Sequence, residues 1–197
     1  MSLSDGFHDI PAGKIAAVVT YLEMRARPEP RPEPTPAPWH LRRVAQPDGD
    51  WYRALYRRVG EDWLWFSRLV IPESELDAVL RDPGVAFYAL EADGRDMGLL
   101  ELDFRQEGEC ELAFFGLAGS LHGQGAGRWL MNRALELAWE QPIQRLWLHT
   151  CTLDHPQALA FYCRSGFRPY ARQVEVADDP RLIGKAPRDS APHIPII

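Results

Sequence analysis

The chain has 197 residues, a formal net charge of −6 and a sequence pI near 5.5. This length fits one domain with a substantial core, and the acidic balance argues against a general nucleic-acid or anionic-membrane surface, which would need clustered basic residues. No apolar run is long enough to cross a bilayer, and the first ten residues mix Ser, Asp, His and Phe rather than forming a signal peptide, so we expect a cytoplasmic protein. The three cysteines lack paired C-x-x-C spacing, which suits a reducing compartment and argues against a zinc site.

The amino-terminal part of the sequence predicts a strand followed by a stiff segment. Lys14 to Met24 has a β-branched, apolar centre, which predicts a buried strand rather than an exposed alternating one. Arg25 to Pro38 carries proline at nearly alternate positions and is therefore predicted to be extended and semi-rigid. Its composition fits a ligand of a proline-recognition domain or a connecting loop, and the structure predicted on both sides favours the loop.

The middle of the chain predicts short helices followed by a strand meander. Leu41 to Val44 is predicted to be a short strand, Gly49 to Val59 a helix, and the segment from Pro72 to Leu80 a second helix. Three further strands are predicted, separated by Gly-containing turns, and these are Val85 to Glu91, Met97 to Arg105 and Glu109 to Leu117.

A glycine-rich turn precedes a strongly amphipathic helix. Its predicted buried stripe is Leu130, Ala134, Leu137 and Ala138, and its predicted solvent side is Arg128, Asn132, Arg133, Glu136 and Glu140. Gly123, Gly125 and Gly127 alternate within LHGQGAGR, so backbone N–H groups there can approach a bulky anion while the helix adds its positive dipole end. The spacing does not fit the dinucleotide fingerprint, which needs glycine where Arg128 stands, or a P-loop, which needs Gly-Lys-Ser/Thr. The turn therefore predicts a site for a phosphate-bearing ligand.

A strand and a second helix are predicted after the amphipathic helix, which Pro142 ends. The run from Arg145 to Thr150 alternates as a strand does. The next helix is predicted to begin at an N-cap on Asp154 or His155 and to end at Gly166.

These segments together resemble the GCN5-related N-acetyltransferase (GNAT) superfamily. Its acyl-coenzyme A signature, Arg/Gln-x-x-Gly-x-Gly/Ala at a strand-to-helix turn, resembles the run from His122 to Gly127 except at the opening residue. Its second element, Asn-x-x-Ala-x-x-x-Tyr-x-x-x-Gly-Phe, resembles the segment from His155 to Phe167 with histidine in place of asparagine. The resemblance implies an α/β (α+β) fold with a mixed, mostly antiparallel sheet flanked by helices, here with an extra amino-terminal strand.

The resemblance also implies a function and a set of site residues. It implies an N-acetyltransferase that moves an acetyl group from acetyl-CoA, as co-substrate, directly to a primary amine of a small molecule or polypeptide, without a metal and without a covalent enzyme intermediate. A catalytically silent acyl-CoA-binding sensor or scaffold is the alternative. The expected cofactor-binding residues are Phe115, Gly116, Leu117, His122, Gly123, Gln124, Gly125, Ala126, Gly127, Arg128 and His155. Neither nucleic acid nor membrane is expected as a partner, and a homodimer is compatible with the family.

Two residues are expected to handle protons. Glu111 lies on the strand before the glycine turn, on the same face as Phe115 by period-2 counting, and is the expected base, with Glu109 and Glu101 as rivals. Tyr162 stands at the family tyrosine position, where its phenol can serve the departing sulfur. A bulge is predicted at Gly116, which would free backbone groups for the pantetheine arm.

The aromatic run from Glu61 to Phe66 has two interpretations. In the family's layout this region grips the acceptor, so Trp63, Trp65 and Phe66 are expected to bind substrate, with neighbouring acidic residues meeting a cationic amine. The other interpretation is core filling between helices, because aromatic residues dominate cores as well as interfaces.

The ends of the chain lead to an expectation about the sheet. We expect residues 39–177 to form the acetyltransferase core, residues 1–38 to contribute an extra strand and connector to the same domain, and residues 178–197 to form a tail. The resemblance implies two strands after Phe167, but the prolines that follow Val176 leave only Tyr170 to Val176 as a clean strand. We therefore predict that Lys14 to Met24 takes the vacant place beside Arg145 to Thr150.

Overall fold

The computed structural model describes residues 3–197, so the first two residues of the predicted segment 1–38 lie outside the described residues. Within that range seven strands form one sheet: β1 (Lys14–Met24), β2 (His40–Val44), β3 (Val85–Ala92), β4 (Arg95–Asp103), β5 (Glu109–Leu117), β6 (Arg145–Cys151) and β7 (Arg168–Asp178). The helices of the same range are α1 (Gly49–Gly60), α2 (Ser67–Val70), α3 (Glu73–Arg81), α4 (Ala126–Trp139) and α5 (Ala158–Arg164). This mixed α/β architecture confirms the predicted fold class.

The strand order is β2-β3-β4-β5-β6-β1-β7, and neighbouring strands are antiparallel except β5 and β6, which are parallel. The parallel pair is short. Only Glu109–Glu111 of β5 pair with Arg145–Trp147 of β6, and beyond these residues the two strands separate. The sheet therefore opens in the middle, where the backbone groups of β5 and β6 that face each other form no inter-strand hydrogen bonds.

The extra strand β1 lies inside the sheet. It pairs with β6 through Val19–Met24 and with β7 along its length, which confirms the predicted place beside β6. The prediction that both faces are buried is wrong for its first half, where Ile15, Ala17 and Val19 are buried but Val18 is 41% exposed. The physical reason is that β1 is paired on both edges while this half is covered on one face only.

Helices cover both faces of the sheet. On one face α4 buries Leu130, Ala134 and Ala138 in the largest hydrophobic cluster, while Leu137, the fourth residue of the predicted stripe, is partly buried against it. On the other face α1 and α3 enclose a second cluster with β3 and β4. Asn132, predicted on the solvent side of α4, is instead 7% exposed, because the segment after β1 covers it.

That segment, residues 25–38, is called here the proline-rich connector. It joins β1 to β2, as the loop interpretation predicts, and it is held against α4. The Asn132 amide accepts from the Arg31 N–H at 3.2 Å and donates to the Arg31 carbonyl at 2.8 Å. Asn132 also donates to the carboxylate of Glu33 at 2.6 Å, and Arg133 pairs with that carboxylate at 2.6 Å. The connector is therefore a fixed part of the wall around α4.

The carboxyl-terminal tail packs beside the start of β1. Buried Asp179 and Arg181 form an ion pair of 2.7 Å, and the Arg181 guanidinium donates to the carbonyls of Ser190 and Ile194. The Gly13 N–H donates to the carbonyl of Ile197 at 2.8 Å, which ties the tail to the strand. No helix within residues 3–197 is long and apolar enough to cross a membrane.

Candidate active site

A cavity of about 670 Å³ lies where β5 and β6 separate. It is bounded by the aromatic run after α1, the second half of β5, the glycine turn and α5. The predicted site residues that line it are Trp63, Trp65, Phe66, Phe115, Gly116, Leu117, His122, Gly123, Gly125, Gly127, His155 and Tyr162. Glu111, Gln124, Ala126 and Arg128 do not line it.

The glycine turn presents a row of unpaired donors. Gly123 and Gly125 have φ angles of +77° and +90°, a left-handed backbone that glycine adopts most easily. From Gly123 to Arg128, six consecutive backbone N–H groups have no hydrogen-bond acceptor within residues 3–197. A Cβ on Gly123 would meet nothing within 4 Å, so the turn is open at this residue. The start of α4 adds its dipole, and the turn is suited to a bulky anion.

Three turn residues that lie outside the cavity lining still belong to this arrangement. The Gln124 side chain donates to the carbonyl of Ser120 at 2.7 Å, and Ala126 is fully buried, so both offer the site their backbone N–H alone. The Nε of Arg128 is buried without a hydrogen-bond partner in the described chain. An unpaired buried guanidinium donor is costly and points to an anionic partner at this turn.

The irregularity in β5 lies at Ala113, so the bulge predicted at Gly116 is wrong. Gly116 pairs in register with Leu99, whereas the register shifts between the pairs Glu101–Phe114 and Leu102–Leu112. A Cβ on Gly116 would come within 2.8 Å of Trp65, so a close approach of that ring explains the glycine.

The bulge also changes which β5 side chains share a face. Glu111 pairs with Asp103 and Phe114 pairs with Glu101, so these four side chains share one face of the sheet. Phe115 is turned to the other face. The expectation that Glu111 and Phe115 share a face is therefore wrong, because one extra residue breaks the period of two.

Tyr162 reaches the cavity from α5. That helix begins at Ala158 after an N-cap at Gln157, so the predicted N-cap at Asp154 or His155 is wrong, while Gly166 follows its end at φ +102° as predicted. The Tyr162 hydroxyl has no hydrogen-bond partner among the described residues. Burial, assisted by the negative charge of Asp154, raises the pKa of Tyr162 far above its ordinary value of 10, so the phenol stays protonated and can donate.

Glu111 approaches the cavity through a histidine that sequence reasoning missed. The Nδ1 of His149, on β6, lies 3.5 Å from Oε1 of Glu111, and His149 itself lines the cavity. The hydrogen bond with Glu111 raises the pKa of His149 above its ordinary 6.5. Tyr21 of β1 packs on the imidazole with ring centroids 5.6 Å apart. The available signal was the position of His149, two residues past Trp147, where β6 leaves β5.

The rival carboxylates are committed elsewhere. Glu109 pairs with Arg145 at 3.0 Å, at the end of β5 away from the cavity. Glu101 is fully buried and accepts hydrogen bonds from Tyr52 and Arg68. Like Glu111, neither side chain lines the cavity, but only Glu111 lies beside a residue that does, His149.

The aromatic run serves both the cavity wall and the core. Trp65 packs on Tyr56 and Phe114 with ring centroids 5.4 Å away in each case, and its indole N–H donates to Asp154 at 2.9 Å. Asp154 also accepts from the hydroxyl of Thr150 and the N–H of Cys151, so it holds the wall in place.

The acidic residues expected beside these aromatic side chains lie elsewhere. Glu61 and Asp62 form a short 3-10 turn and do not line the cavity. The carboxylates that do line it are those of Asp154 and Glu175.

The two histidines that depart from the family signatures contact each other. Their rings, His122 and His155, are perpendicular with centroids 5.2 Å apart, and Trp63 packs on His155 at 5.0 Å. The His122 ring also lies 3.2 Å from the carbonyl of Leu117 through Nε2. Burial and the neighbouring His122 lower the pKa of His155, so this contact is suited to neutral imidazoles. The two replacements thus form one contact at the rim of the cavity.

Comparison with known proteins places the chain. Residues 47–167 match the acetyltransferase (GNAT) family, and the sequence has no significant match among functionally curated proteins. A GCN5-related N-acetyltransferase from Sphaerobacter thermophilus is similar in structure, with a TM-score of 0.61 and 14% identity over 83% of this chain and 52% of its own. A tandem GNAT protein from the clavulanic acid biosynthesis pathway has a TM-score of 0.58 and 20% identity over 87% of this chain and 55% of its own.

A third similar structure is an aminoglycoside acetyltransferase from an uncultured soil metagenomic sample, with a TM-score of 0.53 and 18% identity over 66% of this chain and 88% of its own. This chain spans only about half the length of the first two proteins, and identities this low establish a shared fold alone. The family match, however, covers more than half of the chain and includes the glycine turn, the separated strands and α5. The chain belongs to the GNAT family of acyltransferases.

Proposed function

We propose that this protein transfers an acetyl group from acetyl-CoA to a primary amine of a small molecule or polypeptide, by direct attack of the amine in a ternary complex. The observation that carries the proposal is the row of six unpaired N–H groups from Gly123 to Arg128, at one end of a cavity that also holds Tyr162 and His149. A ligand with phosphate groups at one end can bind the glycine turn through them, while an acyl group at its other end reaches Tyr162 and His149.

The residues present fit coenzyme A. The six backbone N–H groups from Gly123 to Arg128 would hold the diphosphate, and the Arg128 guanidinium, whose buried Nε lacks an acceptor, is a charged donor for a phosphate of the cofactor. Backbone groups of Phe115–Leu117, on the β5 edge that β6 leaves free, would hold the pantetheine arm. When bound, acetyl-CoA supplies an activated acyl group and a thiol leaving group.

Proton handling falls to residues on three elements. An attacking amine must be neutral, so a base has to face it. His149 lines the cavity, and because its Nδ1 faces Glu111, its Nε2 is the nitrogen free to accept a proton. Glu111 holds the ring and stabilises the imidazolium. Tyr162, kept neutral by burial, would donate to the departing sulfur.

The acceptor end of the cavity favours an amine carried on a partly apolar body. Trp63, Trp65 and Phe66 form its wall, and Asp154 is occupied by three donors. Glu175, exposed on β7, is the carboxylate left to attract an ammonium group before it loses its proton. This arrangement supports a single positive charge beside an aromatic surface.

Release of free thiol from acetyl-CoA tests the proposal. Amines and amino acids that raise the thermal stability of the acetyl-CoA complex are first identified, since a ligand of the native state stabilises it. Each is then assayed for amine-dependent thiol release with wild-type protein and with the Tyr162→Phe variant. Release that depends on the amine and slows in the variant supports the enzyme. Binding of acetyl-CoA without amine-dependent release would favour the silent binding module.

A further inference from the structure

The proline-rich connector brings an arginine to the rim of the glycine turn. Arg31 is fixed through its backbone by Asn132, which lies one helical turn beyond Arg128 on α4. Further along the connector, Pro34 lies against Gly125, where a Cβ on the glycine would meet its ring at 3.0 Å. The connector therefore runs across the amino-terminal half of α4.

The connector also passes the end of α5. A Cβ on Gly166 would lie 3.4 Å from Pro28, so the connector passes beside the glycine that follows α5. Arg164 is in the last turn of that helix, two residues before Gly166, and it lines the large cavity. The connector thus passes Gly166, just after α5, at Pro28 and reaches α4 at Arg31, whose backbone bonds with Asn132.

The connector adds a third arginine to a region that holds Arg128 and Arg164. Burial, and after it the nearby positive charges of Arg128 and Arg164, lower the pKa of Arg31. Within residues 3–197 none of the three forms an ion pair. The carboxylate of Glu33, the acidic neighbour on the connector, is already taken by Arg133 and Asn132.

Such a cluster is unfavourable without an anion. Like charges repel, and the buried Nε of Arg128 lacks an acceptor. The six N–H groups of the glycine turn are enough to bind a diphosphate, so the arginines are suited to a further phosphate nearby. Coenzyme A carries one, the monoester on its ribose.

We propose that Arg31, with Arg128 and Arg164, binds the ribose phosphate of coenzyme A, so that the proline-rich connector forms part of the cofactor site. This inference rests on the proposed function and adds to it a residue that lies outside the matched region 47–167. The semi-rigid connector holds Arg31 in place before binding, which lowers the entropy lost when the phosphate is bound. The protein should therefore select coenzyme A thioesters over thioesters that lack this phosphate.

Calorimetric titration with coenzyme A and with dephospho-coenzyme A, which lacks only the ribose phosphate, tests the assignment. Wild-type protein should bind coenzyme A more tightly by roughly 10- to 100-fold, the effect of charge-assisted hydrogen bonds. Arg31→Gln should remove most of this preference and leave the affinity for dephospho-coenzyme A unchanged. Arg27→Gln is the matched control, because Arg27 is exposed on the same connector.

Thermal stability without ligand separates binding from structure. Arg31→Gln keeps the backbone bonds to Asn132 and removes one like charge, so the free variant should melt at the wild-type temperature or above it. A preserved preference in Arg31→Gln, or an equal loss of affinity for both nucleotides, would overturn the assignment. Failure of the wild type to bind either nucleotide would instead refute the proposed function.

Discussion

Val18 and Val19 are adjacent on β1 and differ in burial. Val19 is 5% exposed, whereas Val18 is 41% exposed and faces Val174 across the pair with β7. Truncation of each to alanine removes the same two methyl groups from the same strand. Both variants lose the same intrinsic strand preference, so a difference between them reports burial alone.

The magnitude follows from that burial. Val19→Ala should lower the free energy of unfolding by about 2–3 kcal/mol, from about 0.8 kcal/mol per methyl group and the cavity left behind. Val18→Ala should lower it by roughly 1 kcal/mol or less, since much of its side chain remains in water. The expected difference is about 1–2 kcal/mol, or about 2–8 °C in melting temperature for a chain of this size.

Urea unfolding of the two variants and the wild type measures this difference. Equal losses, or a larger loss for Val18→Ala, would refute the register, because a one-residue slip exchanges the two faces of a strand.

Deletion of residues 1–38 tests the interior place of β1 more severely. It should prevent soluble folding by leaving β6 and β7 without the strand between them, and recovery of a stable, coenzyme A-binding core would contradict the interior placement of β1.

The remaining predictions concern the chemistry and the tail. Glu111→Gln and Tyr162→Phe should each slow turnover by about 10²- to 10⁴-fold with little change in calorimetric coenzyme A affinity. Full activity of Glu111→Gln across pH would exclude the proposed role of Glu111 beside His149. Because Glu111 raises the pKa of His149, this pair stabilises the fold fully below pH 6.5, and the contribution is lost as pH rises through the folded-state pKa. Glu111→Gln should reduce the change of the urea midpoint with pH over that window, and a pH dependence equal to that of the wild type would argue against the pair. Arg181→Met should cost about 3–5 kcal/mol by leaving buried Asp179 unpaired, and a melting temperature within 2 °C of wild type, roughly the shift of one surface substitution, would contradict this.

Local signals in the sequence predicted the parts of the fold that local chemistry decides. The alternating glycines before an amphipathic run placed the turn and α4, and Gly166 marked the end of α5. The position of β1 was predicted because one strand of the family's sheet is missing at the carboxyl end. Prolines after Val176 exclude a further central strand, while Lys14 to Met24 is apolar enough for an interior place. Such signals act over a few residues and are readable without the tertiary structure.

Features decided by tertiary contacts were missed. The bulge at Ala113 has no glycine or proline to announce it, and it alone reverses the face of Phe115 relative to Glu111. The helical pattern predicts that Asn132 is exposed on α4, but the connector covers it in the folded structure. His149 looks like an ordinary strand residue, because its partner Glu111 lies on a strand far away in sequence.

Titration of the wild-type protein and the Gly125→Val variant with acetyl-CoA tests the central claim most directly. Gly125 has a φ of +90° and lies against Pro34, so a β-branched side chain there costs roughly 1–2 kcal/mol in backbone strain and displaces the N–H groups of the turn. The wild type should bind acetyl-CoA, and Gly125→Val should lose this binding while circular dichroism shows its helices intact. A folded variant that binds acetyl-CoA as tightly as the wild type would contradict the assignment of the glycine turn as the cofactor site.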